Sequence, residues 1–185
     1  MLKYVFAAFA ILPLSAFAAT PASIPPQKVI SAVTGDWNGD GSMDRAVLID
    51  SGDSNADIAI YLNDGNDGFK LAGFGPAVAF NGGLFGNSPE LRVSKTGALQ
   101  VHSENIAIGR SHWERLLTLS YRNGQFVVSG VTASYNDTMD RSAGGSCDLN
   151  LLTGKGTSDR KKIAIKSAPV ALSQWNDDKM PAACQ

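Results

Sequence analysis

The chain has 185 residues, 44% of them hydrophobic, and its 16 basic and 17 acidic side chains leave a net charge of −1. Such balance argues against nucleic acid as a partner, because phosphate recognition leaves a basic excess. The length suits one core of ordinary size and one domain.

Residues 1–18 carry Lys3, a mostly apolar run from Tyr4 to Phe17, and the small-residue pattern Ala16-Phe17-Ala18. This reads as a secretory signal peptide cut before Ala19. No later stretch reaches the roughly 20 apolar residues that a membrane span requires. With no Cys at the cleavage site to take a lipid, the expectation is a soluble periplasmic or secreted protein. Residues 19–27 are Pro-rich and read as an extended N-terminal arm, which leaves 28–185 as a single domain.

Along that domain, short apolar runs alternate with turn residues. Val29 to Val33, Ala46 to Ile49 and Ile58 to Leu62 each have strand length, and the last leads into the turn-rich segment 63–68. Residues 81–89 hold too many breakers for a regular element and read as a loop. Leu91 to Ser94 and Ala98 to Ser103, joined by Lys95-Thr96-Gly97, form a hairpin. Leu116 to Tyr121 and Phe126 to Val131 form another around Asn123-Gly124, a pair that readily takes the positive φ angles of a type I′ turn. Two more strands are expected at Cys147 to Leu152 and Lys162 to Ile165, and 168–176 has room for a helical turn or two. Gly154-Lys155-Gly156-Thr157 lacks the spacing of a phosphate loop, and Arg160-Lys161-Lys162 reads as a solvated turn. Many short strands and no sustained 3.6-residue period predict an all-β fold: a compact sandwich, barrel or sheet stack of short antiparallel strands.

The residues with most chemical content are Asp36-Trp37-Asn38-Gly39-Asp40-Gly41-Ser42-Met43-Asp44. Alternating oxygen donors ahead of a turn glycine suit a hard cation that takes six to eight oxygens, so the cofactor expected is calcium. Asp36, Asn38 and Asp40 supply side-chain oxygens, Ser42 a backbone carbonyl, and Asp44 a carboxylate, directly or through water. An EF-hand needs Glu at the twelfth loop position, where this chain has Val47. The alternative is an Asp/Asn/Gly turn that binds nothing. Local charge favours the cation: from Asp36 to Asp67 there are eight aspartates and one basic residue, Arg45.

The stretch Thr34 to Leu48, followed by Tyr61-Leu62-Asn63-Asp64-Gly65-Asn66-Asp67-Gly68-Phe69, resembles one FG-GAP or VCBS-type repeat, the unit of integrin-like β-propellers. The resemblance covers about residues 33–70 and implies calcium held between two strands by Asp36, Asn38, Asp40, Ser42 and Asp44. The chain holds no second loop of this type, whereas propellers need about four blades or more, so a full propeller is not expected. The remainder resembles only uncharacterised exported bacterial proteins.

Cys147 and Cys184 fall in the exported part, where a bridge between them would close a loop of about 38 residues and pin the C-terminal tail. The alternative is two free thiols. The two histidines of the chain occur in matching triplets, His102-Ser103-Glu104 and His112-Trp113-Glu114. On a strand each triplet puts an imidazole and a carboxylate on one face, so the four side chains form a candidate set for a small metal-dependent hydrolase. The plainer reading places them at solvent-facing polar positions. With no nucleophile motif in view, the leading functional expectation is a non-catalytic calcium-binding module that recognises an envelope component or another exported protein, in the manner of an inhibitor or immunity factor.

Overall fold

The structure, a computed structural model, describes residues 23–65, 68–84, 87–140 and 142–185. The expected signal peptide and the first residues of the arm therefore lie outside the described residues, as do Asn66 and Asp67 of the turn-rich segment. Within the arm, Pro26 opens a short 3₁₀ turn, Pro26–Lys28, so its end is not extended as expected.

Two antiparallel sheets make the fold, as the pattern of short strands predicts. The first is a meander of β1 (Val29–Gly35), β2 (Asp44–Gly52), β3 (Asn55–Asn63) and β4 (Phe69–Phe80). The second runs in the order β11-β10-β9-β8-β7-β6-β5: β5 (Glu90–Val93), β6 (Leu99–Asn105), β7 (Ser111–Arg122), β8 (Gln125–Asp137), β9 (Gly144–Asn150), β10 (Lys155–Ser158) and β11 (Lys161–Ala164). A short β12 (Val170–Ala171) pairs with β8. The sheets pack as a sandwich that does not close into a barrel.

Period-two alternation builds the core. Ala46 and Leu48 on β2, with Ala56, Ile58 and Ile60 on β3, face Leu99, Val101, Leu117, Leu119, Val131 and Leu149 of the larger sheet, all buried. The hairpin at Asn123-Gly124 forms as read: Arg122 pairs with Gln125, and the two turn residues have φ of 49° and 78°. On β8, Val128 and Val131 are both buried although three apart, which simple alternation forbids. A register shift opposite Thr118 and Leu119 resolves this by inserting an extra residue, and Ser129 there donates its hydroxyl to the Thr118 carbonyl at 3.1 Å.

Three segments depart from the sequence reading. The basic run is not one turn: Arg160 sits in the turn with Asp159, while Lys161 and Lys162 belong to β11. Gly154-Lys155-Gly156-Thr157 is largely strand, since β10 begins at Lys155 and pairs with both β9 and β11. Strand β4 has no counterpart in the sequence reading, because Gly73, Gly75 and Pro76 interrupt its apolar pattern. Gly75 is small for a packing reason. A Cβ there would lie 2.7 Å from Leu172 Cδ1 and 3.1 Å from Ile58 Cγ2.

Leu172 opens the C-terminal segment, which turns through the 3₁₀ helices Leu172–Gln174, Asp177–Lys179 and Ala182–Cys184. Leu172, Trp175 and Met180 are buried in the same core as the sheets. The Cys147–Cys184 disulfide ties this segment to β9 with a Cα–Cα distance of 5.2 Å, so the expected bridge forms. It accords with an oxidising, exported location.

Two stability outcomes follow from this packing. The Cys147→Ser/Cys184→Ser variant should lose about 4 kcal/mol by the chain-entropy relation, read as a lower urea midpoint. Gly75→Val should lose about 1–3 kcal/mol by overpacking against Leu172 and Ile58. A midpoint equal to wild type in the same titration would show that the tail yields at that contact.

Candidate functional site

The aspartate loop joins β1 to β2, with Gly35 paired to Asp44 at its base. The flanks are thus antiparallel strands, as the absence of an EF-hand glutamate suggests. Inside the loop the side chains wrap the backbone. Asp36 Oδ1 accepts from the Gly39 N–H at 2.8 Å, and Asp36 Oδ2 from the Gly41 N–H at 2.9 Å. Asn38 Oδ1 accepts from the Asp40 N–H at 3.0 Å, and Asp40 Oδ1 from the Ser42 N–H at 2.7 Å. Gly41, at φ 86°, provides the reversal. The Ser42 N–H, followed by the Asn38 side-chain amide, holds the Asp40 carboxyl below the usual carboxylate range.

Asp44 differs from the other loop residues. It shares the core-facing parity of Ala46 and Leu48 and is completely buried. A buried carboxylate needs partners, and it has two backbone donors: Oδ2 accepts from the Trp37 N–H at 2.9 Å and Oδ1 from the Asn63 N–H at 3.0 Å. Asp44 therefore fastens the aspartate loop to the end of β3. Asp36, Asp40 and Asp44 do not bring ligand oxygens within 4.8 Å of one another as a trio; among the described residues, the His, Cys and acidic side chains that do so are His102, Glu104 and Glu114.

That second cluster comes from strand register. Glu90 of β5 lies opposite His102 of β6, and Glu104 lies opposite Glu114 of β7. His102 is only 4% exposed, so the solvent-facing reading of this histidine is incorrect. Leu116 lies directly opposite it on β7. Nε2 is 2.8 Å from Glu114 Oε1 and 3.9 Å from Glu104 Oε2, while Nδ1 is 3.9 Å from Glu90 Oε1. Arg92 Nε donates to Glu90 Oε1 at 2.6 Å.

The structure thus unites three of the four side chains in the candidate hydrolase set. His112 pairs with Asn136 at the far end of β7, beyond the Asn105–Trp113 pair that ends the β6 ladder, and is not among the converging ligand atoms. Glu90 was missed by the sequence reading, although the signal was present. Once the hairpin around Lys95-Thr96-Gly97 pairs Leu91 with Val101, Glu90 must fall opposite His102.

Beside Glu114 the outer face of the large sheet forms an open groove of about 300 Å³, lined by Leu116, Thr132, Ser134, Asp148 and Thr157 among others. No helix among the described residues is long and apolar enough to cross a membrane.

Replacing Asp44 by Asn sets an amide donor against one of two buried backbone donors. Asp44→Asn should cost about 2–3 kcal/mol, measured by urea denaturation, and should speed hydrogen exchange at Trp37 and Asn63. An unchanged midpoint would show that Asp44 is not the anchor of the loop. No protein-family model, curated protein or solved structure matches this chain.

Proposed function

We propose that this protein is an exported, non-catalytic calcium-binding β-domain that acts as an interaction module of the periplasm or extracellular space. The observation that carries the reading is the aspartate loop set between two antiparallel strands, as in the FG-GAP/VCBS-type repeat it resembles, with Asp36, Asn38 and Asp40 folded around a single reversal. Asp36, Asn38, Asp40 and the Ser42 carbonyl supply an all-oxygen set, and Asp44 anchors the base. The Asp40 carboxylate, whose Oδ2 accepts from Asn38 Nδ2 at 2.7 Å, would be one of the oxygens to hold the calcium ion.

The site's role in this reading is structural. It holds the loop against the end of β3, while the wide polar face of the larger sheet meets an envelope component or another exported protein. The hydrolase alternative would have to work with His102, Glu104 and Glu114 on an open sheet face, without His112.

Calorimetry in calcium and in chelator tests the calcium reading. An exposed extracellular-type site has a Kd of about 10⁻⁴–10⁻³ M. At calcium ten times Kd the native state gains about 1.4 kcal/mol, which raises Tm by roughly 3–6 °C for a domain of this size. Asp40→Asn, which preserves the acceptor for the Ser42 N–H, should abolish that gain with little effect on Tm in chelator. Equal melting temperatures in both solutions for the wild type would overturn the proposal.

A further inference from the structure

All three glutamates in the sequence, Glu90, Glu104 and Glu114, surround one imidazole. They come from three successive strands, so the sheet register alone assembles them. Two features of the assembly call for a cation. Glu104 and Glu114 are directly opposed across β6 and β7, a placement that is repulsive for like charges unless something positive lies between them. The His102 nitrogen that faces both carboxylates is carried on a side chain almost wholly removed from water.

We propose that His102 Nε2, Glu104 and Glu114 form a binding site for a divalent transition-metal ion of the zinc class. The inference is independent of the calcium loop, which lies on the other sheet. One imidazole nitrogen and two carboxylate oxygens are a donor set for zinc and its first-row neighbours, whereas calcium and magnesium favour oxygen throughout. The spacing also fits. A tetrahedral centre with bonds of about 2.0–2.2 Å places its ligand atoms about 3.3–3.6 Å apart. The 3.9 Å from Nε2 to Glu104 and the 2.8 Å from Nε2 to Glu114 bracket that value. The metal replaces the hydrogen bond between His102 and Glu114, and the Glu114 carboxylate, 53% exposed, has the freedom to draw back.

Behind the ring, Nδ1 faces Glu90, itself held by Arg92, and a carboxylate in this position orients a metal-bound imidazole and raises its basicity. Three protein donors leave a fourth position open. Since the groove of about 300 Å³ begins at Glu114, that position is available to water or to an oxygen or nitrogen donor on a bound molecule.

The test uses the purified full chain, stripped with a chelator, dialysed and titrated with zinc sulfate by calorimetry, with cobalt(II) absorption as a second probe. About one zinc per chain should bind, and cobalt should give the intense visible bands of a low-coordinate centre. His102→Ala should abolish binding. Glu114→Gln, at an exposed position that does not threaten the fold, and Glu90→Gln should each weaken it by roughly tenfold or more. His112→Ala and Asp40→Asn should bind zinc as the wild type does. Absence of zinc binding by the folded wild type, unchanged affinity in Glu114→Gln, or loss on His112→Ala with retention in His102→Ala would each overturn the site.

Discussion

An eight-stranded sheet cannot be covered by a four-stranded one, and most of this structure answers that mismatch. The meander β1 to β4 packs on part of the large sheet, which leaves part of the inner side of β8 and β9 in need of another cover. The C-terminal segment supplies it with Leu172, Trp175 and Met180. Each such side chain contributes roughly 1.5–3 kcal/mol of burial, set against the cost of ordering a segment with little regular structure. Gly75 lets Leu172 reach the small sheet, and the disulfide to Cys147 limits how far the segment departs when the chain unfolds. Arg115 Nη1 donates to Asp177 at 2.6 Å and joins the segment to β7.

The same mismatch leaves the outer face of the large sheet open and polar, and this is where the second cluster lies. The two candidate centres differ in every physical respect that decides what binds. The aspartate loop is an exposed reversal with oxygen donors only, suited to a cation that tolerates irregular coordination. The His102 cluster stands on the paired strands β5, β6 and β7 and includes a nitrogen donor, an arrangement suited to fewer and shorter bonds. The loop's fixed point is Asp44, buried by strand parity and satisfied by two backbone donors. The cluster's fixed point is His102, with carboxylates facing both ring nitrogens.

How much was legible in advance follows from the range of the interactions involved. Asn123-Gly124, the strand from Ile58 to Leu62 and the loop from Asp36 to Asp44 are set by side chains within a few residues of one another, and the structure has them where the sequence places them. Strand β4 was hidden because its inward positions include Gly73 and Gly75, which are small to admit Phe126 and Leu172 from distant parts of the chain. Residues 155–158 were hidden because their strand state depends on neighbours on both sides. The two His-x-Glu triplets look equivalent in sequence. Only the end of the β6 ladder at the Asn105–Trp113 pair separates them, enclosing His102 and leaving His112 outside.

The sequence by itself determined the all-β class, the hairpin turns, the acidic loop with its oxygen donors and the two cysteines that pair, because each rests on local backbone preference or on residue chemistry that does not change with folding. Tertiary structure alone decided that the strands divide into sheets of four and eight, that the tail completes the core, that Asp44 is an internal anchor, and that three glutamates meet at one histidine. Those outcomes depend on register and packing between residues far apart in the chain, where a shift of one residue would turn each side chain to the opposite face.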